Sequence, residues 1–198
     1  GITKKTSIAV VGTILTLLIT IVFSYIFVQA TGLLGNGSEE AVFTASYIPN
    51  LNLQGLLLGG IILGTLGVLD DITTAQVAVV AELKHANPKL GMKELFQKAS
   101  RVGREHIVSL VNTLVLAYVG TSFPIFLLLL TVKSRPSWVS INDPFISEEI
   151  VRSISGSLSL VLAVPITTFI ASFIISGAYK SYIHLIRGTK GDETSRRK

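Results

Sequence analysis

The chain has 198 residues, 49% hydrophobic and 15% charged, with a mean hydropathy of +0.63. Water-soluble domains carry about 25% charge, so this composition points to a membrane protein. The net charge of +5 is no nucleic-acid signature, because Lys and Arg fall in the gaps between apolar runs, and the absence of Cys excludes disulfides and thiolate chemistry. Residue 1 is Gly, not an initiator Met, which predicts the C-terminal part of a longer protein.

Four apolar segments are each long enough to cross a bilayer as a helix, which needs about 20 residues. The first, about 8–29, has no charge; Lys4 and Lys5 precede it, as in a signal peptide, but the run exceeds the usual ~7–15 apolar residues of such signals. A true span is therefore expected. The second runs over about 53–81 and contains two adjacent carboxylates, Asp70 and Asp71. A carboxylate near the bilayer interior costs roughly 2.5–3.5 kcal/mol, and such residues are functional candidates.

Within the second span Gly60, Gly64, Gly67, Asp71, Thr74, Ala78 and Ala81 recur at helical spacing and form one stripe of small residues. Such stripes let helices approach closely in lipid, so Asp71 is expected in a helix–helix contact, with Asp70 beside it. Thr73 and Thr74 lie one turn on and can donate hydroxyl hydrogen bonds. Asp70 lies about 22 Å along the helix from Gly55 at 1.5 Å per residue, in the cytoplasmic half of a ~30 Å core. The pair there would act as one site for which a proton and a metal ion compete, which suits proton or cation exchange. A structural reading stands beside this one: Asp71 could cap a helix that breaks at Gly67 and restarts.

Asn87-Pro88 reads as a helix start. Leu90, Leu95, Phe96, Ala99 and Val102 then form an apolar stripe opposite Lys and Arg, which predicts an amphipathic helix over about 88–104 at the inner membrane surface. It would anchor to anionic lipid or dock a cytoplasmic partner. Glu82 and His85 have the spacing of one di-iron helix, but such sites need two such helices and two more Glu, so a solvated helix end is the simpler reading. The third span covers about 107–132. At its start His106, Ser109 and Thr113 share one face, and Glu105, Ser109 and Asn112 a neighbouring one. These polar residues read as interhelical glue or as a proton path toward Asp71; Arg104 or His106 could pair with the carboxylates.

Between Lys133 and Ser155, Trp138 and Phe145 read as interfacial anchors, and 146–153 as a short helix. The fourth span covers about 158–179, with Pro165 as a hinge whose freed carbonyls Thr167 and Thr168 could satisfy. His184 lies in a basic, solvated tail. Lys4, Lys5, Lys84, Lys89, Lys93, Lys98, Arg101, Arg104, Lys180, Arg187, Lys190, Arg196, Arg197 and Lys198 fall on one side of the spans. Only Lys133, Arg135 and Arg152 fall on the other, with Glu39, Glu40, Asp143, Glu148 and Glu149. The positive-inside rule puts both termini in the cytoplasm.

Gly64-x-Leu-Gly-x-Leu-Asp-Asp71, Glu82-Leu-x-x-Ala-Asn-Pro88, Arg101-Val-Gly-Arg-Glu-His-Ile107, Glu149-Ile-Val-Arg152, Gly156-Ser157 and Val164-Pro-Ile-Thr-Thr168 resemble, in this order, motifs of the YibE/F family of bacterial multi-pass membrane proteins. The resemblance implies a multi-pass helical fold and a bacterial membrane location, but no particular activity. The expected fold is all-α: a single polytopic transmembrane helix bundle with four spans and a cytoplasmic amphipathic helix. The expected function is a transport or ion- and proton-conducting component. Asp70 and Asp71 would bind the ion or proton, Thr73, Thr74, Asn112 and His106 would assist, and Gly60, Gly64 and Gly67 would serve helix packing. A non-transporting scaffold or partner-binding subunit is the alternative. Expected partners are the lipid bilayer, a second copy or a related membrane subunit, and a cytoplasmic protein at 88–104. No cofactor, nucleic acid or catalytic set is indicated, and no internal repeat, P-loop, nucleophile elbow or dinucleotide fingerprint is present.

Overall fold

The computed structural model describes residues 4–131 and 136–177; Lys133, Arg135, the end of the expected fourth span and the basic tail with His184 lie outside them. Among the described residues the chain is helical, without strands. Its elements are α1 (Lys4–Ala30), α2 (Glu39–Tyr47), α3 (Leu53–Ala86), α4 (Met92–Thr121), α5 (Phe123–Thr131), α6 (Ser137–Ile141) and α7 (Pro144–Ile175). Helices α1, α3 and α7 pack on one another as a three-helix core, and α4 lies mainly against α7.

This core is the reverse of a soluble one. On α1, Val10, Val11, Ile14, Leu15, Leu18 and Val22 face outward, while Thr13, Thr16, Thr20 and Ser24 are buried. The hydroxyls recur every three or four residues and so share one face. Large apolar side chains on the outside suit hydrocarbon, whereas small and hydroxyl-bearing residues inside let helices approach and hydrogen-bond. By length and apolarity, α1 from Lys5, α3 and α7 could each cross a membrane.

Helices α1 and α3 run antiparallel. Lys5 and Glu82 form an exposed ion pair of 3.5 Å at one end, and Gln29 Nε2 donates to Gln54 Oε1 at 3.1 Å at the other. Helix α3 continues unbroken through Gly67 and Asp71, so the expected break there is absent. In an apolar medium each backbone group freed by a break costs several kcal/mol, which holds the helix together despite its glycines.

The turn after α3 also differs from expectation. Asn87 ends that helix, its N–H bonded to Leu83 O, rather than starting the next one. Helix α4 begins at Met92, where Gly91 N–H donates to Glu94 Oε2 at 3.0 Å. The expected amphipathic helix is the first half of α4, continuous with the start of the expected third span. Most of its stripe is spent on protein, for Leu90, Leu95 and Ala99 are buried and the Phe96 ring meets Phe169 edge-on at 6.4 Å, while Val102 stays exposed. The third span is interrupted instead at Ser122, just before Pro124, whose missing N–H cannot continue the ladder. The expected short helix at 146–153 is the beginning of α7, which starts at Asp143, where the side chain caps Phe145 N.

Candidate functional site

Three helices meet at one amide. Gln76 on α3 is buried, and its Nε2 donates to Ala99 O on α4 at 2.9 Å and to Thr168 Oγ1 on α7 at 2.7 Å. A turn away, Thr73 and Thr13 of α1 share a hydroxyl hydrogen bond of 2.6 Å. Farther along, Thr20 Oγ1 donates to Ser159 Oγ at 2.7 Å. These bonds mark a hydroxyl-lined seam between α1, α3 and α7. The seam is incompletely satisfied, since Ser24, Ser155, Thr167 and Ser172 hydroxyls are buried without a partner among the described residues.

The buried residues of α3 are Leu57, Ile61, Thr65, Leu69, Ile72, Thr73, Gln76, Val77, Val80 and Ala81. Asp70 and Asp71 are not among them and are exposed, and neither carboxylate has a hydrogen-bond or ion-pair partner among the described residues. Asp71 is thus not packed against another helix among the described residues. The small-residue stripe follows the expectation only at its two ends, where Ala81 is buried and Gly60 and Gly64 lie beside other helices. A Cβ on Gly60 would stand 3.6 Å from Arg152 Nη1, and one on Gly64 3.7 Å from Tyr118 Oη, whereas around Gly67 nothing lies within 4 Å.

Two contacts set the register of α4 on α3: Gln76 with Ala99, and Gly64 beside Tyr118. Between them Leu69 and Ile72 share an apolar cluster with Ile107, Leu110 and Val111. The acidic pair therefore lies level with the middle of α4. His106, Ser109, Asn112 and Thr113 are all exposed rather than joining helices, and Thr113 bonds back to Leu110 O at 2.9 Å. Thr74 is exposed like the carboxylates. The Thr73 hydroxyl is engaged by Thr13 and by the main-chain carbonyl of Asp70, at 3.2 Å, not by a carboxylate. Among the described residues no group of three or more His, Asp or Glu side chains is placed to share a metal ion.

Helix α7 runs through Pro165 without interruption. Thr168 Oγ1 bonds to Val164 O and receives Gln76, so it does not serve the carbonyl that Pro165 frees at Val161. The buried hydroxyls were visible in the sequence as Thr13, Thr16, Thr20 and Ser24 at helical spacing, but an uncharged apolar run hides them. Gln76 carries no motif; only its position a turn past the Asp pair marks it.

At the other end, α7 brings in a group that reads in the sequence as an outer loop. Glu148 is buried and accepts from Gly37 N–H at 2.8 Å, while Arg152 Nε lies 3.4 Å from Glu149 Oε1. No curated protein and no solved structure matches the chain. The sequence profile described as YibE/F-like protein matches residues 1–177, nearly the whole described chain. With long apolar helices turned inside out and this match, the chain belongs to the YibE/F-like family, as its motifs implied.

Proposed function

We propose that the protein is a transport or ion- and proton-conducting component of the bacterial cytoplasmic membrane, with Asp70 and Asp71 as the groups that take up the proton or cation. One observation carries the reading: two unpartnered carboxylates stand on the exposed face of an apolar helix. Facing hydrocarbon, the pair would cost roughly 5–7 kcal/mol at the usual cost per group. A stable protein avoids this by placing the face against water or against another polar surface. A second copy or a related membrane subunit, packed on the open glycines and leaving a wet path, meets both needs. Thr74, Asn112 and His106, exposed on the same two helices, would line or feed that path. Pro165 would supply the hinge. The basic residues at the cytoplasmic gaps support an N-in, C-in orientation.

The scaffold reading uses the same face differently. Gly67 is open on its outer side, so a partner helix could pack there and cover the acids without moving any ion. Reconstitution separates the two. Liposomes holding the protein and a pH-sensitive dye are challenged with a series of cations, using wild type and the Asp70→Asn/Asp71→Asn variant. Transport predicts a cation-dependent pH change that the folded double variant loses. No flux in wild type, or undiminished flux in the folded variant, refutes it; a variant that loses its fold favours the scaffold.

A further inference from the structure

A second polar site lies at the opposite end of α3 from the cytoplasmic turn. There a cleft of about 440 Å³ opens between α2, the first turns of α3 and the start of α7. Its apolar wall includes Leu56 and Leu63, and its polar groups include Glu40, Glu148 and Arg152. That volume falls in the usual range for small-molecule sites, about 300–1,000 Å³. We propose that this cleft binds a zwitterion, an ammonium joined to an acidic oxygen group, as in a phosphoethanolamine headgroup or a free amino acid. The proposal does not rest on Asp70 or Asp71.

The charge pattern selects the ligand. Arg152 offers five donors in a fixed fork, yet its buried Nε has no hydrogen-bond partner among the described residues and meets Glu149 only as a 3.4 Å ion pair. The guanidinium lies over Gly60, where the lack of a side chain keeps it open to the cleft. It calls for an acidic acceptor. Glu148 uses one oxygen on Gly37 N–H and leaves the other without a hydrogen-bond partner among the described residues; Glu40 lines the same space. These carboxylates call for a donor cation. A simple anion would meet two carboxylates and a simple cation would meet the guanidinium, whereas a zwitterion answers both.

Helix α2 forms the roof. None of its nine residues is buried, and it is flanked by positive-φ residues, Gly32 and Gly35 before it and Asn50 after it. Ala41 and Thr44 face the cleft while Phe43 and Tyr47 stack at 4.9 Å on the exposed side, as aromatic residues do at a membrane interface.

Native mass spectrometry of the full chain tests this with phosphatidylethanolamine, phosphatidylglycerol, phosphatidylcholine and soluble O-phosphoethanolamine as probes. The expected result is retention of phosphatidylethanolamine over the other two lipids by about tenfold, lost in Arg152→Gln and Glu148→Gln. Phosphatidylcholine is the sharp control, because its quaternary ammonium has no N–H to give Glu148. Retention of O-phosphoethanolamine without any lipid preference assigns the site to a soluble zwitterion. Ala41→Trp fills the cleft from a helix that has no buried residue, and it should abolish binding at an unchanged unfolding temperature. Equal retention of all three lipids with no soluble adduct, or a preference that survives Ala41→Trp, overturns the proposal.

Discussion

Gly103→Ala tests the packing that joins α4 to the core. A Cβ there would stand 2.5 Å from Val164 Cγ1, 2.7 Å from Gln76 Oε1 and 2.9 Å from Gln76 Nε2. Carbon atoms rest at about 3.5–4.0 Å, so something must move by about an ångström. Val164 is β-branched on a helix and cannot rotate freely. The Gln76 amide is held by Ala99 O and Thr168 Oγ1. Overpacking of this kind costs about 1–3 kcal/mol, and two interhelical hydrogen bonds in lipid add about 0.6 kcal/mol each when broken. Replacing Gly by Ala inside a helix returns about 0.5–1 kcal/mol, so the expected destabilisation is about 1–3 kcal/mol, measured by SDS-driven unfolding in mixed micelles with circular dichroism. In a Gln76→Ala background the same substitution should cost at least about 1 kcal/mol less, since contacting residues couple. A Gly103→Ala protein within about 0.5 kcal/mol of wild type, or an equal penalty in both backgrounds, refutes the reasoning.

The hydroxyl seam makes two contrasting predictions in the same assay. Thr73→Val keeps the shape but removes the 2.6 Å bond to Thr13, and should cost about 0.6 kcal/mol and no more than about 1.7. Ser24→Ala removes a buried hydroxyl that has no partner among the described residues, so it should be neutral or stabilising. Orientation is tested by Lys93→Cys, feasible because the chain has no other Cys: an impermeant thiol reagent should label it only after the cytoplasmic face is opened, and labelling in intact cells would reverse the assignment.

Helix existence was legible because long apolar runs leave hydrocarbon-compatible backbone few options besides helix. Helix ends were not, and each miss has a local cause. Asn87 is as good a helix end as a start, and only the Leu83 carbonyl above it decides between them. The amphipathic stripe of Leu95 and Ala99 was visible, but periodicity alone cannot distinguish lipid from the flank of α7 as its cover. For the acidic pair, the sequence showed two acids beside a glycine stripe. It could not show that the buried face of α3 runs through Leu69, Ile72 and Gln76, leaving Asp71 outside. The Glu148 and Arg152 group was hidden because 146–153 reads as a short helix within an outer connection, so its charges looked solvated rather than folded against Gly37 and Gly60.

The central claim is that the acidic face of α3 meets water inside the membrane. The most direct measurement is the reaction of a charged, impermeant thiol reagent with single cysteines placed at Gly67 and Thr74, compared with Leu18 and Val22 on the apolar outer face of α1. Reconstituted protein should react at Gly67→Cys and Thr74→Cys faster than at Leu18→Cys and Val22→Cys by roughly an order of magnitude. Reaction at Gly67→Cys and Thr74→Cys as slow as at Val22→Cys, in folded protein, would mean that lipid or a tightly packed helix covers the carboxylates, and would contradict an ion path there.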